Sequence, residues 1–378
     1  MTAPRILLSA GEPSGDLHGA AVARALLARW PQARLYGLGG PLMEAEGVAL
    51  LAHVDELAVM GLAEIASRLP FFVRLLRTVA RQIRIDPPDL VLPIDYPGFN
   101  LRLAKAARAR GVPVLYYIAP QVWAWHRSRI GELARRADRL AVILPFEEAL
   151  FREAGANVRF VGHPLLDSEP PPIPRHEFFG ELGLDPDRPV LALFPGSRVQ
   201  EVHRHLALFS AAAEKVQAAR PEMQTAVAAG SGIPEAAFNE TKWPRTTASW
   251  QLLRHAAGAL VKSGTSTLQA ALTGTPMVVS YRMHPLTFAV ARRVVRVDHV
   301  ALANLVAGDR VVPELLQDEA TPDVLAKALL PLLEEGSPER KRVQEGLAGV
   351  RAALTADLAG SSAAEGVAAM AMELVGRR

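Results

Sequence analysis

The sequence predicts an α/β protein built from two open, mostly parallel sheets in tandem. Three observations carry that prediction. Residues 89–125 read as a strand, an amphipathic helix and a second strand, a βαβ unit whose strands lie parallel in one sheet. The same alternation of apolar, β-branched runs with helical stretches resumes at Val190 and continues through Tyr281. Between the two halves, Ser168-Glu-Pro-Pro-Pro-Ile-Pro174 suits neither a helix nor a central strand, so it reads as a stiff linker and as the domain boundary.

Composition limits the rest. With 50% hydrophobic and 21% charged residues, the 378-residue chain buries ordinary cores and is not disordered. Lys and Arg number 42 against 39 Asp and Glu, a net charge of only +3, so a predicted pI near 9.3 overstates the basicity. Nothing in that balance points to nucleic acid, and any anionic partner must be met by local clustering. Arginine predominates over lysine, which suits bidentate phosphate contacts. The absence of cysteine excludes disulfides, thiolate catalysis and Cys-ligated zinc. The amino terminus runs into a strand without a signal peptide's apolar stretch, and no run reaches the roughly 18 apolar residues of a spanning helix. A soluble or peripherally attached cytoplasmic protein is the expectation.

Taken in order, residues 5–10 form a buried strand that breaks into Gly11-Glu12-Pro13-Ser14-Gly15-Asp16-Leu17-His18-Gly19, with a helix expected from about 20 to 30. Such a glycine-rich turn brings backbone amides and a helix start near a ligand. Its two carboxylates make it a poor pyrophosphate cradle, so Glu12, Asp16 and His18 fit a sugar-hydroxyl or acceptor-side role; a tight turn capped by Ser14 or Asp16 is the plainer alternative. Residues 34–38 are the next strand. Residues 56–84 alternate apolar side chains, Met60, Leu69, Phe71 and Phe72 among them, with Arg68, Arg74, Arg77, Arg81 and Arg84 on a helical period. That pattern fits a core helix with a solvated rim, or a helix lying on an anionic bilayer with its Phe side chains exposed.

In the βαβ unit, Asp95 follows the apolar run Leu90-Val-Leu-Pro-Ile94 at a carboxyl strand end, where ligands of parallel sheets meet the loops. It caps the following helix, fixes the Tyr96-Pro-Gly turn, or is put to chemical use. Strands at 139–144, 158–161, 190–194, 224–229, 259–262 and 277–281 follow, then helices near 321–334, 338–354 and 362–375. Pro195-Gly-Ser197-Arg198 and Ser263-Gly264-Thr265-Ser266-Thr267 both fall at strand-to-helix junctions that offer free amides, hydroxyls and a positive helix end. Two such loops with Arg198 between them read as a diphosphate site. No Walker lysine follows the glycines.

The blocks Gly11-Glu-Pro-Ser-Gly-Asp16, Ala58-Val-Met-Gly-Leu-Ala-Glu64, Ile94-Asp-Tyr-Pro-Gly-Phe-Asn100, Pro120-Gln-Val-Trp-Ala-Trp125, Leu144-Pro-Phe-Glu147, Gly162-His-Pro164, Pro195-Gly-Ser-Arg198, Ser263-Gly-Thr265, Pro276-Met-Val-Val-Ser-Tyr-Arg282 and Ala303-Asn-Leu-Val-Ala-Gly308 occur in this order. In that order and over nearly the whole chain they resemble the lipid-A-disaccharide synthase family. The resemblance implies a GT-B glycosyltransferase, two Rossmann-like domains facing across a cleft. Residues 1–168 would take the acceptor and lipid, and 169–361 the UDP-sugar, with the helix at 362–375 packing back on the first domain. It implies an inverting condensation of UDP-2,3-diacylglucosamine with 2,3-diacylglucosamine 1-phosphate to a β-1,6-linked disaccharide and UDP, at the inner face of the inner membrane. A homodimer is compatible with it.

Carried over residue by residue, the resemblance implies Asp95 as general base, with Glu12 and Asp16 as competitors or positioners. Ser14 and, from the loop reading above, His18 stand as candidate substrate contacts. Ser197, Arg198 and the stretch Ser263, Gly264, Thr265, Ser266 and Thr267 would stabilise departing UDP, with Gln269, Arg282 and Asn304 further candidates on the nucleotide side. No metal-binding Asp-x-Asp is apparent, and neither metal nor cofactor is expected. Two positions depart from the family pattern: Gln269 stands where a ribose-binding Glu is usual, and Ala303 where a proline usually precedes the Asn. A UDP-N-acetylglucosamine 2-epimerase-like isomerase and a non-catalytic nucleotide-sugar binder are the competing classes.

Overall fold

The structure is a computed structural model that describes all residues except 1–2, 58–61, 126–127, 231, 240, 285–287, 289–297, 357, 359 and 377–378, with backbone alone for 62–67, 124–125 and 128–129. The chain divides into two compact units, Met1–Ser168 with Asp357–Arg378, and Glu169–Ala356.

The first unit runs β1 (Arg5–Ser9), α1 (Pro13–Arg29), β2 (Arg34–Gly39), α2 (Pro41–Ala45), β3 (Ala49–His53), α3 (Val54–Leu57), α4 (Leu62–Ile85), β4 (Leu90–Pro93), α5 (Pro97–Arg108), β5 (Leu115–Tyr117), α6 (Val122–Trp125), α7 (Ser128–Arg136), β6 (Arg139–Val142), α8 (Pro145–Glu153) and β7 (Val158–Phe160). All described pairings are parallel, in the orders β3-β2-β1-β4 and β5-β6-β7, and the parallel bridges Val91–Val114 and Ile94–Tyr117 join the two runs. The chain order reverses between β1 and β4, so a crevice opens beyond their carboxyl ends.

The second unit repeats the plan: α9 (Arg175–Glu181), β8 (Val190–Phe194), α10 (Val199–Ala219), β9 (Gln224–Ala228), β10 (Arg245–Thr246), α11 (Ser249–His255), β11 (Gly258–Lys262), α12 (Ser266–Thr273), β12 (Met277–Tyr281) and β13 (Glu314–Leu316). Its order, β10-β9-β8-β11-β12-β13, is parallel throughout and reverses between β8 and β11. Buried Val, Leu, Ala and Phe fill β8 and β11 on both faces, as a sheet covered by helices requires. The proline run is tied to this unit: the Gln251 amide donates to Pro171 O and accepts from Ile173 N.

Three local readings change. Helix α1 starts at Pro13 rather than about residue 20, because Pro13 supplies a preformed first turn. Gly15 and Gly19 therefore belong to the helix, and Gly19 lets the helix close on Met43, whose Sδ a Cβ there would meet. Helix α4 buries Val79 and Ile83, half-buries Phe71 and Phe72, and leaves Leu69, Val73, Ile85, Arg74, Arg77, Arg81 and Arg84 exposed, so Leu69, Val73 and Ile85, not the phenylalanines, are the outward apolar side chains among its described residues. Met60 lies outside the described residues. The peripheral strands β3, β10 and β13 were not evident from the sequence.

The last helix, Ala363–Val375, packs in the core of the first unit through Ala363, Ala364, Val367, Ala368, Met370 and Ala371. A reciprocal Ser362–Glu365 capping box starts it, Asp167 accepts its Ala363 amide at 3.0 Å, and Glu373 pairs with Arg139 and Arg159.

Candidate active site

Two constellations lie at the two points where strand order reverses. In the first unit, β1 leads into Ala10-Gly11-Glu12 and β4 into Ile94-Asp95. Asp95 and Tyr96 adopt φ of 46° and 49°, and the β-branched Ile118 after β5 adopts 61°. Such left-handed backbone at non-glycine residues costs about 1–3 kcal/mol each and survives only where the surroundings enforce it. Here they do. The Asn100 amide donates to Ser9 O, Ile94 O and Asp95 O at 3.0, 3.2 and 2.8 Å, while its oxygen accepts from Ser9 Oγ at 2.6 Å. Tyr116 Oη also donates to Asp95 O at 2.7 Å, and Asp95 N donates to Tyr117 O. Gly11 is needed because a Cβ there would enter the ring of Tyr96.

This scaffold fixes the Asp95 backbone while its carboxylate takes the Tyr96 amide. Burial, with the neighbouring Glu12 charge added, pushes the Asp95 carboxyl up to about 6 despite that hydrogen bond. A carboxylate so poised accepts a proton near neutral pH. It borders a cavity of about 430 Å³ lined by Leu101, Ile118, Val122, Ile143, Leu144 and Glu147, apolar except at its two carboxyls and Gln121. Glu147 was not anticipated. Burial raises its carboxyl to about 7 against hydrogen bonds from Trp123 Nε1 and the Leu144 amide, both near 3 Å.

In the second unit, the ends of β8 and β11 frame a cavity of about 300 Å³ lined by Gly196, Ser197, Gly230, Thr247, Ser249, Lys262, Ser263, Gly264, Thr265, Ser266 and Gln269. Gly196 (φ 138°) and Gly264 (φ 151°) give both loops a conformation that L side chains rarely adopt. Helix α12 presents its first amides behind Ser263–Thr265, and exposed Arg198 is the N-cap of α10. Among the described residues the Gln269 side chain makes only a 3.5 Å contact with Ser249 Oγ, leaving its amide to a ligand. The arrangement suits a phosphate-bearing ligand with hydroxyls.

Other expected residues are placed differently. Asp16 is buried and spends both oxygens on the amides of Gly40, Leu42 and Met43 at 2.7–3.0 Å, capping α2; it does not line the Asp95 cavity. Ser14 is exposed on the first turn of α1 and caps nothing. Burial lowers His18 to about 4, and His163 beside it falls likewise, so both are neutral at physiological pH. Ser263 Oγ and Thr267 Oγ1 are committed to Val300 O and Gly264 O. The Arg282 guanidinium donates to Gln317 O and Ala320 O, and buried Asn304 exchanges hydrogen bonds with the Val312 backbone and donates to Glu314 Oε1, so both hold loops rather than line the cavity. Ala303 and Asn304 lie on a short helix, Leu302–Ala307, and both are buried.

The lipid-A-disaccharide synthetase family profile matches residues 6–358. The lipid-A-disaccharide synthase of Geobacter metallireducens is 39% identical over 390 residues, covering 100% of this chain and 99% of the relative. That of Myxococcus xanthus is 40% identical, covering 96% and 97%. Among solved structures, the calicheamicin glycosyltransferase CalG4 aligns with a TM-score of 0.61 at 19% identity over 100% and 99% of the two chains. UGT71G1 of Medicago truncatula, complexed with UDP-glucose, aligns at 0.62 and 13% identity over 99% of each. A putative UDP-N-acetylglucosamine 2-epimerase of Listeria monocytogenes aligns at 0.59 and 14% over 93% and 94%. These likenesses give the GT-B fold, which transferases and epimerases share.

Proposed function

The chain belongs to the lipid-A-disaccharide synthase family, glycosyltransferases of lipid A biosynthesis, and on that premise we propose that it condenses UDP-2,3-diacylglucosamine with 2,3-diacylglucosamine 1-phosphate. The first unit holds the acceptor and the second the donor nucleotide. The acceptor 6-hydroxyl attacks the donor anomeric carbon as its proton passes to Asp95. The bond from that carbon to the β-phosphate oxygen breaks, UDP leaves with the electron pair, and one displacement inverts the centre to give the β-1,6 linkage.

The observation that carries this reading is Asp95 itself, fixed by Asn100 and Tyr116 at an apolar cavity with its carboxyl raised to about 6. Glu12 raises that basicity by its charge. Asp16 acts at one remove by anchoring α2. On the donor side, the start of α12, with Arg198, offsets the charge that develops on UDP, and Gln269 offers a neutral partner to the ribose. The exposed arginine face of α4, with Leu69 and Val73, supports peripheral attachment to an anionic membrane surface; no helix among the described residues is long and apolar enough to cross one.

The test is product analysis. Acylated substrates in mixed micelles should give a β-1,6 disaccharide, with no turnover of unacylated UDP-N-acetylglucosamine. A 2-epimerised sugar nucleotide as product would contradict the reading.

A further inference from the structure

Among the described residues that line the second unit's cavity, Lys262 alone carries charge. It ends β11, where it reads as the last residue of a buried strand. Its ammonium nevertheless lies between the two loops that frame the cavity. It pairs with Glu201 Oε1 at 2.8 Å, both side chains 15% exposed, while Glu201 Oε2 accepts the Ser197 amide at 3.0 Å. From the other side, a Cβ on Gly264 would stand 3.7 Å from the Lys262 nitrogen. The Tyr281 ring lies 5.1 Å from it.

We propose that Lys262 is the cation that receives the diphosphate of the nucleotide and that Glu201 is a positioning residue that holds it there. This rests on the reading of the cavity as the UDP site. An ammonium has three donors, and Glu201 uses one, so two remain for phosphate oxygens. The other cations near the site are less suited: Arg282 is spent on carbonyls and Arg198 is exposed rather than lining. Glu201 would be an obstacle to a diphosphate if it stood alone. Paired, it fixes the ammonium and ties it to the Ser197 loop. Its helical turn is fixed in turn: His205 Nδ1 donates to Glu201 O at 2.8 Å while Nε2 accepts the Arg282 amide at 3.0 Å, and burial, lowering this imidazole to about 4, keeps that tautomer neutral.

The arrangement has an unusual consequence. Lys262→Met removes two phosphate contacts and also leaves a half-buried carboxylate facing the incoming anion, so the loss exceeds that of the lysine alone. Removing both charges with Lys262→Met/Glu201→Gln is less harmful to UDP binding than removing Lys262 alone. Neutralising both members of a pair spares the fold, which keeps the test valid if the single variant is unstable.

Calorimetric titration of the native protein and both variants with UDP and with uridine decides this. Expected is UDP affinity about 30-fold weaker in Lys262→Met, recovering at least about 3-fold in the double variant, with uridine affinity unchanged throughout. Equal UDP affinity in native protein and Lys262→Met would overturn the proposal while leaving the UDP site standing. Parallel losses for UDP and uridine would overturn it in favour of a structural role. Native protein that binds neither would remove the UDP reading and the proposal with it.

Discussion

Asp95 concentrates the chemistry at the residue scale. Its raised carboxyl sets a sign for the pH dependence. A general base must be ionised, so kcat rises with pH through about 6 and levels above it. Removing the Glu12 charge with Glu12→Gln takes away one of the two causes of the shift, and the limb moves to lower pH. Rate profiles from pH 5 to 8.5 check both; a limb unmoved in Glu12→Gln would separate it from Asp95. Asp95, Ser197 and Gly264 were legible because residues just past apolar runs in a parallel sheet face the crevice. For Asp16 the sequence left base, positioner and cap open, because a carboxylate in a glycine-rich stretch looks available, and only the fold shows that α2 takes both its oxygens. Lys262 and Glu147 were hidden by context. One ends a strand, and the other lies inside a quoted block as a helix cap whose burial no spacing reveals.

At the scale of elements, α4 and the last helix were both visible as amphipathic periods, and their partners were not. The sequence offered Phe71 and Phe72 to a bilayer, whereas packing half-buries them and turns Leu69 and Val73 outward with the arginines. Each arginine near an anionic surface contributes about 1 kcal/mol. Arg74→Glu/Arg77→Glu/Arg81→Glu therefore lowers partition onto vesicles containing one-third phosphatidylglycerol by at least about 30-fold and leaves UDP affinity unchanged. Co-sedimentation measures the first and calorimetry the second; unaltered partition would leave α4 an ordinary solvated helix. The starting point of α1 was misjudged because glycine favours turns in general, while Gly15 and Gly19 here serve close packing. Strands β10 and β13 were missed for their brevity, β10 having two residues, both polar, and β3 because it is a partly exposed edge strand rather than a buried apolar run.

For the whole molecule, the proline run and the doubled alternation revealed two units in the sequence. The return of the chain is the less obvious feature. Val367 and Met370 are fully buried in the first unit, each worth about 1.5–3 kcal/mol, and four alanines pack beside them. Deleting residues 357–378 should cost the first unit on the order of 5 kcal/mol, a large share of a domain's stability. Limited proteolysis of the truncated protein is expected to cut within 1–168 while 169–356 stays protected. Equal protection of both parts would mean the helix is dispensable.

The central claim is that this chain transfers a sugar with Asp95 as the base. It is tested most directly by UDP release from UDP-2,3-diacylglucosamine in mixed micelles, with and without 2,3-diacylglucosamine 1-phosphate, for the native protein and Asp95→Asn. Release that depends on acceptor and falls about 10²–10⁴-fold in the variant, with UDP still bound, is the predicted result. Undiminished acceptor-dependent release from Asp95→Asn would contradict it.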